Sequence, residues 1–310
     1  MKKGLLIFSL IISATIIAVY FFIPVKEHFT HGITINCTEE GAIRQIINKD
    51  KWQSWWPGEK KNDRLFLYMG YSYKFDKILY NGIETTVFNN KDSVKGFLQF
   101  LYYGVDSTRL QWTSADTLST NPFKRIVEYF QSRKLKSNVE SLLTGISTYF
   151  NQEENIYGFK VKKQKQTETS LVSFKQTFDH YPSTQEVYTM IQTLKEYIRE
   201  KGGEEKDVPM LHVHHESIAV YETMIAIPVK TELAAEGNFQ LKRMMMGNIL
   251  MAEVKGGLAT VINGENELIN YVKDYKKTSP AIPFQSLVTN RLLEADTLKW
   301  VTRLYYPVFQ

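Results

Sequence analysis

"AVYETMIAIPV", residues 219–229, ends in an apolar residue, proline and valine, and "KWVTRLYYPV", residues 299–308, ends in a closely similar way. Both stretches have the apolar pattern that is typical of strands. Each follows a segment with helical spacing of apolar residues, at 183–203 and at 265–277. The sequence therefore predicts two strand-helix-strand-strand units that share one sheet and bury both helices on one face.

The first unit of this repeat begins with a strand pattern at 169–178. Its helix has Ser183 or Thr184 as the cap and Gly202 as the stop, and "MLHVHHES", residues 210–217, is its second strand. The corresponding segments of the second unit are 247–263, 265–277, 283–290 and 299–308. The repeat accounts for nearly the whole second half of the chain.

This half, about residues 168–309, resembles the gyrase-inhibitor-like (GyrI-like) effector-binding domain, which also forms the drug-sensing module of some bacterial transcription activators. The resemblance rests on the ordered set "VYTMIQTLKEYI", "IPV", "VKGGLATVI" and "KWVTRLYYPV". It implies a pocket between the pseudo-symmetric halves, lined by aromatic residues and commonly holding one glutamate. At the matching position this chain has Gln285, and Leu287 stands where an aromatic residue is usual.

The resemblance also implies which residues bind the ligand. They are Tyr188, Tyr221, Glu222, Gln285, Trp300 and Tyr305. A buried glutamate would pair with a cationic ligand or act as a general base, whereas the amide of Gln285 only donates and accepts hydrogen bonds. We therefore expect a non-catalytic binding site. The alternatives are a hydrolase of the GyrI-like type, in which Glu222 supplies a relocated carboxylate, and an envelope scaffold protein.

The first half of the chain has a different order of elements. "ITINCT", residues 33–38, alternates as a strand, and residues 39–58 have helical spacing up to a proline-glycine stop. Strand patterns separated by turn residues fill 65–117, and Asn121 followed by Pro122 starts a long helix. This order predicts an antiparallel sheet with a short helix before it and a long helix after it.

Over about residues 30–160, this order resembles the helix-grip fold of the START/polyketide-cyclase-like (SRPBCC) superfamily, with "KWQSWWPG" as the local signature. The resemblance implies that the long helix crosses a curved sheet and encloses an apolar cavity for a lipid or another hydrophobic molecule. The alternative for Trp52, Trp55 and Trp56 is ordinary core packing, since aromatic side chains bury large areas wherever they lie.

The segment "GLLIFSLIISATIIAVYFFIPV", residues 4–25, carries no charge. As a helix it spans about 33 Å, close to the roughly 30 Å hydrocarbon core of a membrane. The apolar run is longer than that of a cleaved signal peptide, and aromatic residues near its end suit a membrane interface. Residues 1–26 are therefore predicted to be a single-pass anchor in a bacterial inner membrane. Two preceding lysines place the following domains on the extracytoplasmic side.

Composition excludes several classes of function. The net charge is +5, but charged residues are spread along the whole chain, so no nucleic-acid partner is predicted. Cys37 is the only cysteine, which excludes an intrachain disulfide and a thiolate metal cluster. The sequence has no phosphate loop, dinucleotide fingerprint or nucleophile elbow, and no cofactor is expected.

The histidines of "MLHVHHES" require separate consideration. His212 and His214 lie on one face of a strand and are candidate zinc ligands, but a third donor must come from Glu216, Glu222 or His180. Glu216 shares that face only if the strand continues, and nothing in the sequence brings the other two close. We therefore expect a polar strand face and no metal.

Together these patterns predict an α+β chain with three parts. A transmembrane helix occupies 1–26, a helix-grip antiparallel sheet with a long C-terminal helix occupies 30–160, and a pseudo-twofold duplicated β-α-β-β effector-binding domain occupies 168–310. The predicted function is membrane-anchored, non-catalytic binding of a hydrophobic or amphipathic small molecule, as a sensor or carrier. The expected partners are that molecule or a lipid and, through 4–25, the membrane; no protein partner is predicted.

Overall fold

The computed structural model describes residues 2–89, 92–217, 220–244, 246–279 and 281–309. The side chains of residues 2–6, 8, 9, 216 and 217 lie outside this description. The chain forms two compact units, Met1–Gln152 and Glu153–Gln310. Each combines an antiparallel sheet with helices, so the predicted α+β class is confirmed.

Helix α1 (Lys2–Phe22) runs through most of the apolar segment. Its last turn contacts the rest of the first unit. The Tyr20 hydroxyl donates to the Thr120 carbonyl oxygen at 2.7 Å, and the Arg125 guanidinium lies 5.3 Å from the centre of the Tyr20 ring. Within the described part of the chain, no helix has both the length and the apolarity of a membrane span.

The first unit is built on a seven-stranded antiparallel sheet with the order β1-β7-β6-β5-β4-β3-β2. Its strands are β1 (Lys26–Ile35), β2 (Glu59–Lys60), β3 (Leu65–Tyr68), β4 (Tyr71–Leu79), β5 (Gly82–Asn89), β6 (Asp92–Gly104) and β7 (Ser107–Thr117). Its further helices are α2 (Glu39–Ile47), α3 (Trp52–Trp55) and α4 (Pro122–Phe150). The predicted order of strand, helix, antiparallel strands and long helix is the observed one.

The helix predicted over 39–58 is interrupted, which corrects the prediction of one continuous element. The Asn48 side chain accepts a hydrogen bond from the Asp50 backbone amide at 3.0 Å, and a 3₁₀ turn, Lys49–Lys51, separates α2 from α3. An asparagine that binds a nearby backbone amide competes with helix continuation, which explains the break.

The three tryptophans of the first unit are core residues. Trp52, Trp55 and Trp56 are each less than 5% exposed. The Trp52 ring lies 4.9 Å from that of Phe75 and 6.2 Å from that of Phe66, centroid to centroid. The structure therefore confirms that these tryptophans pack in the core.

The second unit is built on an eight-stranded antiparallel sheet with the order β12-β9-β11-β10-β14-β15-β13-β8. Its strands are β8 (Lys162–Gln166), β9 (Thr169–Phe178), β10 (Met210–Ser217), β11 (Val220–Pro228), β12 (Phe239–Met244), β13 (Gly247–Lys255), β14 (Phe284–Leu287) and β15 (Val301–Val308). Its helices are α5 (Glu153–Tyr157), α6 (Thr184–Glu200) and α7 (Leu258–Asp274). The duplication is visible as β9-α6-β10-β11 followed by β13-α7-β14-β15.

Helix α6 forms where the sequence predicts it. Ser183 and Glu186 make a capping box, in which each side chain binds the backbone of the other residue. The predicted apolar stripe of the helix is buried, and its members are Val187, Ile191, Leu194 and Ile198. The stripe packs on the sheet against residues such as Ile225.

Helix α7 starts earlier than predicted, because the strand expected over 247–263 ends at Lys255. Gly256 has a φ of +141°, which breaks the strand, and Gly257 is the residue before the first helical turn. The helix begins at Leu258 and not at the predicted position 265. The earlier start brings Val261 into the helix and places Glu265 in its middle, at the spacing of Leu268 and Val272, which are buried as predicted.

Strands β8 and β12 form the two edges of the second sheet. The lysine-rich stretch Lys162–Gln166 forms the edge strand β8. Between the two repeats, Phe239–Met244 is a strand that pairs with β9. Both edges extend the sheet beyond the duplicated core.

Candidate ligand-binding site

Alternation along the central strands sends side chains to two faces of the second sheet. Leu211 of β10 and Leu287 of β14 point to the face covered by α6, where they belong to its apolar core. Met210 and Phe284 point the other way and line a cavity on what we call the open face, the face opposite α6 and α7. Each face carries a distinct set of candidate site residues.

On the helix-covered face, Gln285 bonds to a partly buried acid. Gln285 is 2% exposed, and its Nε2 donates to Oε1 of Glu265 on α7 at 3.0 Å. Tyr181 shares a side-chain hydrogen bond with Gln285. The sequence led us to expect only the neutral amide of Gln285 at this position. That expectation is wrong, because Glu265 of α7 places an ionisable acid beside it.

Arg291 lies close to this acid and is 8% exposed. Its Nη2 donates to the Thr302 hydroxyl at 2.8 Å, and its guanidinium lies 5.2 Å from the centre of the Trp300 ring. The Tyr188 hydroxyl accepts from the Arg291 backbone amide at 2.8 Å and donates to the Thr289 carbonyl oxygen at 3.1 Å. We call the connected set the polar cluster, made of Tyr181, Tyr188, Glu265, Gln285, Arg291 and Trp300.

Burial governs the electrostatics of the polar cluster. It raises the pKa of Glu265, an effect that the Gln285 hydrogen bond and the Arg291 charge partly oppose. It also raises the pKa of Tyr181. Burial lowers the pKa of Arg291, although a guanidinium keeps its proton in proteins. An ionised Glu265 and Arg291 balance each other, so the cluster has no excess charge with which to attract an ion.

The six residues predicted to bind ligand are divided between the two faces. Tyr188, Gln285 and Trp300 belong to the polar cluster, and Tyr221 joins it through Tyr181, at 6.0 Å between ring centroids. Glu222 and Tyr305 do not join them.

Glu222 and Tyr305 lie on the open face. A carboxylate oxygen of Glu222 lies 2.6 Å from Nζ of Lys175, and this hydrogen bond lowers the pKa of Glu222. Tyr305 stacks on Phe284 at 4.9 Å between ring centroids. Adjacent strand residues point to opposite faces, so Glu222 points away from its neighbour Tyr221, which lies near the polar cluster. The alternative in which Glu222 supplies a carboxylate beside Gln285 is therefore corrected.

The open face holds a cavity of about 690 Å³ within the second unit. Most of its wall is apolar, and the apolar side chains include Leu171, Met210, Met224, Met244, Ile249, Ile282, Phe284 and Phe309. Its polar side chains are Lys165, Gln166, His212, Lys242, Arg243 and Asn248. A large apolar wall with a few polar groups is the usual character of a small-molecule site.

The histidine cluster is divided by the same alternation. His212 lines the cavity, its ring centroid lies 6.3 Å from that of His214, and burial lowers its pKa. His180 binds Asp179 and Glu186 instead. In the described residues no three His, Cys, Asp or Glu side chains form a group that suits a metal. The side chain of Glu216, one candidate third donor, lies outside the description.

The first unit has a smaller cavity of about 210 Å³ near the start of α4. Its wall contains Asp92, Asp116 and Glu128, and it does not include the core tryptophans. This cavity has neither the size nor the apolar wall of the open-face cavity. The second unit is therefore the better candidate for a hydrophobic ligand.

No family model matches the sequence, and no curated protein matches it. Among solved structures, the C-terminal domain of EcmrR is similar with a TM-score of 0.43 and 14% identity, covering 49% of this chain and 98% of that chain. A hydrolase from Listeria innocua is similar with a TM-score of 0.37 and 14% identity, covering 48% and 91%. SAV2435 bound to tetraphenylphosphonium is similar with a TM-score of 0.32 and 15% identity, covering 48% and 93%. At TM-scores below 0.5 these likenesses carry no argument about ligand or activity.

Sequence reasoning missed Glu265, although a signal for it exists. Val261, Glu265, Leu268 and Val272 are spaced as one face of a helix, and the three apolar members are buried. The signal is visible only if the helix begins at Leu258. Starting the helix at 265 placed this glutamate in the first turn, where an acid is common at the surface.

Gln285→Glu is expected to place a second carboxylate beside Glu265. Two carboxylates at this distance share a proton, so the pKa of the pair is raised and stability falls as the pH rises above the unfolded-state value of about 4.3. For each pKa unit by which the pair is raised, the free energy of unfolding at high pH falls by about 1.4 kcal/mol. In a domain of this size that loss lowers the melting temperature by roughly 3–6 °C. Melting curves of wild type and variant between about pH 5 and pH 8 measure the effect.

Gln164→Glu, at an exposed position of β8, is the matched control and should melt in parallel with wild type. Parallel pH dependence for Gln285→Glu and Gln164→Glu would contradict the close contact between residues 285 and 265.

Proposed function

We propose that the second unit is a GyrI-like effector-binding domain that binds a hydrophobic or amphipathic small molecule in the open-face cavity, and that the first unit is a helix-grip domain of the SRPBCC type. The observation that carries the binding proposal is the cavity of about 690 Å³ with its largely apolar wall. Small-molecule sites usually occupy roughly 300–1,000 Å³. The duplicated β-α-β-β order supports the first assignment, and the strand-helix-sheet-long helix order supports the second.

Burial of apolar surface would supply most of the binding free energy, at about 0.8 kcal/mol for each methylene group removed from water. Met210, Met224 and Met244 suit this role, since methionine side chains adapt to ligands of different shape. His212 and Asn248 are placed to orient polar groups of the ligand. The site thus combines a permissive apolar wall with a few fixed polar contacts.

The lining side chains favour binding over reaction. Side chains that act as nucleophiles or as acids and bases are most often those of Ser, Thr, Cys, Tyr, Asp, Glu, His and Lys. Of these types, the described residues of the cavity wall include only His and Lys. We therefore propose a sensor or carrier role for this site.

Ala226→Phe is expected to fill part of the cavity, because Ala226 lies in its wall on β11 and is buried. The dissociation constant of Nile red, an uncharged hydrophobic dye, should rise about tenfold, which corresponds to about 1.4 kcal/mol of lost binding free energy. Fluorescence titration of the full chain, with a protein-free background subtracted, measures this change.

Ala259→Phe is the matched control, since Ala259 is exposed on α7, on the other side of the sheet. Equal dye affinity for wild type and both variants would place the dye elsewhere and would refute the open-face cavity as the binding site.

A hydrolase centred on Glu265 is the second candidate, favoured by a partly buried carboxylate with a raised pKa next to Tyr181 and Gln285. Positioned acids and bases contribute at least about 100-fold to such reactions, so Glu265→Gln should slow hydrolysis of p-nitrophenyl esters by at least that factor. Glu222→Gln, on the open face, should leave the rate unchanged. If the wild-type chain releases no nitrophenol above background, this candidate is excluded.

We also propose that residues 4–25 anchor the chain in a bacterial inner membrane, with both units extracytoplasmic. The absence of charge in this segment and the exposure of large apolar side chains at Leu10, Ile17, Phe21 and Phe22 support the proposal. Deletion of 1–26 should move the chain from carbonate-washed membranes to the supernatant. A C-terminal alkaline phosphatase fusion should be active.

Release of the full chain by carbonate would contradict the anchor. An inactive phosphatase fusion together with a fluorescent C-terminal reporter would contradict the orientation alone.

A further inference from the structure

The charge of the open-face cavity narrows the class of ligand. Three basic side chains, Lys165, Lys242 and Arg243, contribute to its wall. The described residues of the wall include no aspartate or glutamate. A cationic ligand would therefore meet like charges without a counterion, whereas an anionic ligand would meet a complementary wall.

The three cations are not equivalent. Arg243 is already paired, since its guanidinium lies 2.6 Å from a carboxylate oxygen of Glu232 and 3.8 Å from one of Glu168. Lys165 is exposed on the edge strand β8, where water solvates its charge. Lys242 is partly buried on β12, opposite Leu171 in the pairing with β9.

Lys242 has a poor partner for its charge. Its Nζ lies 3.2 Å from the thioether sulfur of Met224, and a thioether is only a weak hydrogen-bond acceptor. Among the described residues no carboxylate lies within ion-pairing distance of it, and Glu222, a nearby acid on this face, is held by Lys175 at 2.6 Å. Burial and the neighbouring Lys175 lower the pKa of Lys242, as expected for an ammonium without a counterion.

The thioether contact also shows where the ammonium group lies. Met224 belongs to the cavity wall, so the contact places Nζ of Lys242 beside the apolar surface. An anionic group entering the cavity would replace a weak acceptor with a charge-assisted hydrogen bond, which is the stronger type. Burial lowers the pKa of His212, which disfavours its charged form, so Lys242 is the group assigned to the anion.

We propose that the natural ligand of the open-face cavity is a single-chain amphipathic carboxylate, with its headgroup on Lys242 and its hydrocarbon chain along the methionine and phenylalanine wall. This inference rests on the proposed function, because it assumes that the cavity binds hydrophobic molecules at all. It adds the sign of the ligand's charge and the residue that recognises it.

Hexadecanoate and hexadecanol test the proposal, since they share a chain and differ in charge. Each is titrated at pH 7.5 against the full chain carrying Nile red, and displacement of the dye gives the dissociation constant. For wild type we expect hexadecanoate to bind at least tenfold more tightly than hexadecanol. Lys242→Met should abolish this difference and leave hexadecanol unchanged, while Lys242→Arg should retain it.

Lys163→Met is the matched control, because Lys163 is an exposed lysine of β8 outside the cavity wall and its loss changes the net charge equally. This variant should preserve the preference for hexadecanoate. Equal binding of acid and alcohol by wild type, or equal loss of preference in Lys163→Met and Lys242→Met, overturns the inference while the binding function stands. Failure of both compounds and of Nile red to bind overturns the binding function as well.

Discussion

The antiparallel pairing of β10 with β14 joins the two halves of the duplicated unit, and both candidate sites depend on it. Met210 faces Ser286 and Leu211 faces Gln285 in this register. The register sends Gln285 towards α7 and its neighbour Phe284 to the opposite face, because side chains alternate along a strand. A shift of one residue would exchange the polar cluster and the wall of the open-face cavity.

The open-face cavity exists because α6 and α7 cover the same side of the sheet. In a sheet with one face packed against helices, the other face is usually polar and solvated. Here that face carries Met210, Met224 and Phe284 instead, and the edge strand β12 adds Lys242 at its margin. Among the described residues no helix of the second unit covers this apolar face, and an exposed apolar surface of this kind is typical of a binding site. In the polar cluster, in contrast, Gln285 donates to Glu265, while the buried Nε of Arg291 has no hydrogen-bond partner among the described residues.

The sequence predicted the helices and strands better than the faces on which their residues lie. The duplication, the cap of α6 and its apolar stripe depend on local spacing, which can be read directly. The start of α7 could not, because the turn at Gly256 interrupts a run that reads as one strand from residue 247 to residue 263. Glu265 was missed for that reason. The alternative role of Glu222 as a relocated carboxylate could not be tested from the sequence, because the face of each strand residue depends on pairing between distant segments.

Strand β8 has one further property, which follows from its place at the edge of the second sheet. One side of this strand pairs with β13, and its other side has no strand neighbour among the described residues. Lys162, Lys163 and Lys165 occupy that margin. Two copies of the chain that met through it would bring six ammonium groups together, which opposes fibre-like stacking of the protein upon itself. The same short segment that completes the sheet also keeps it from growing.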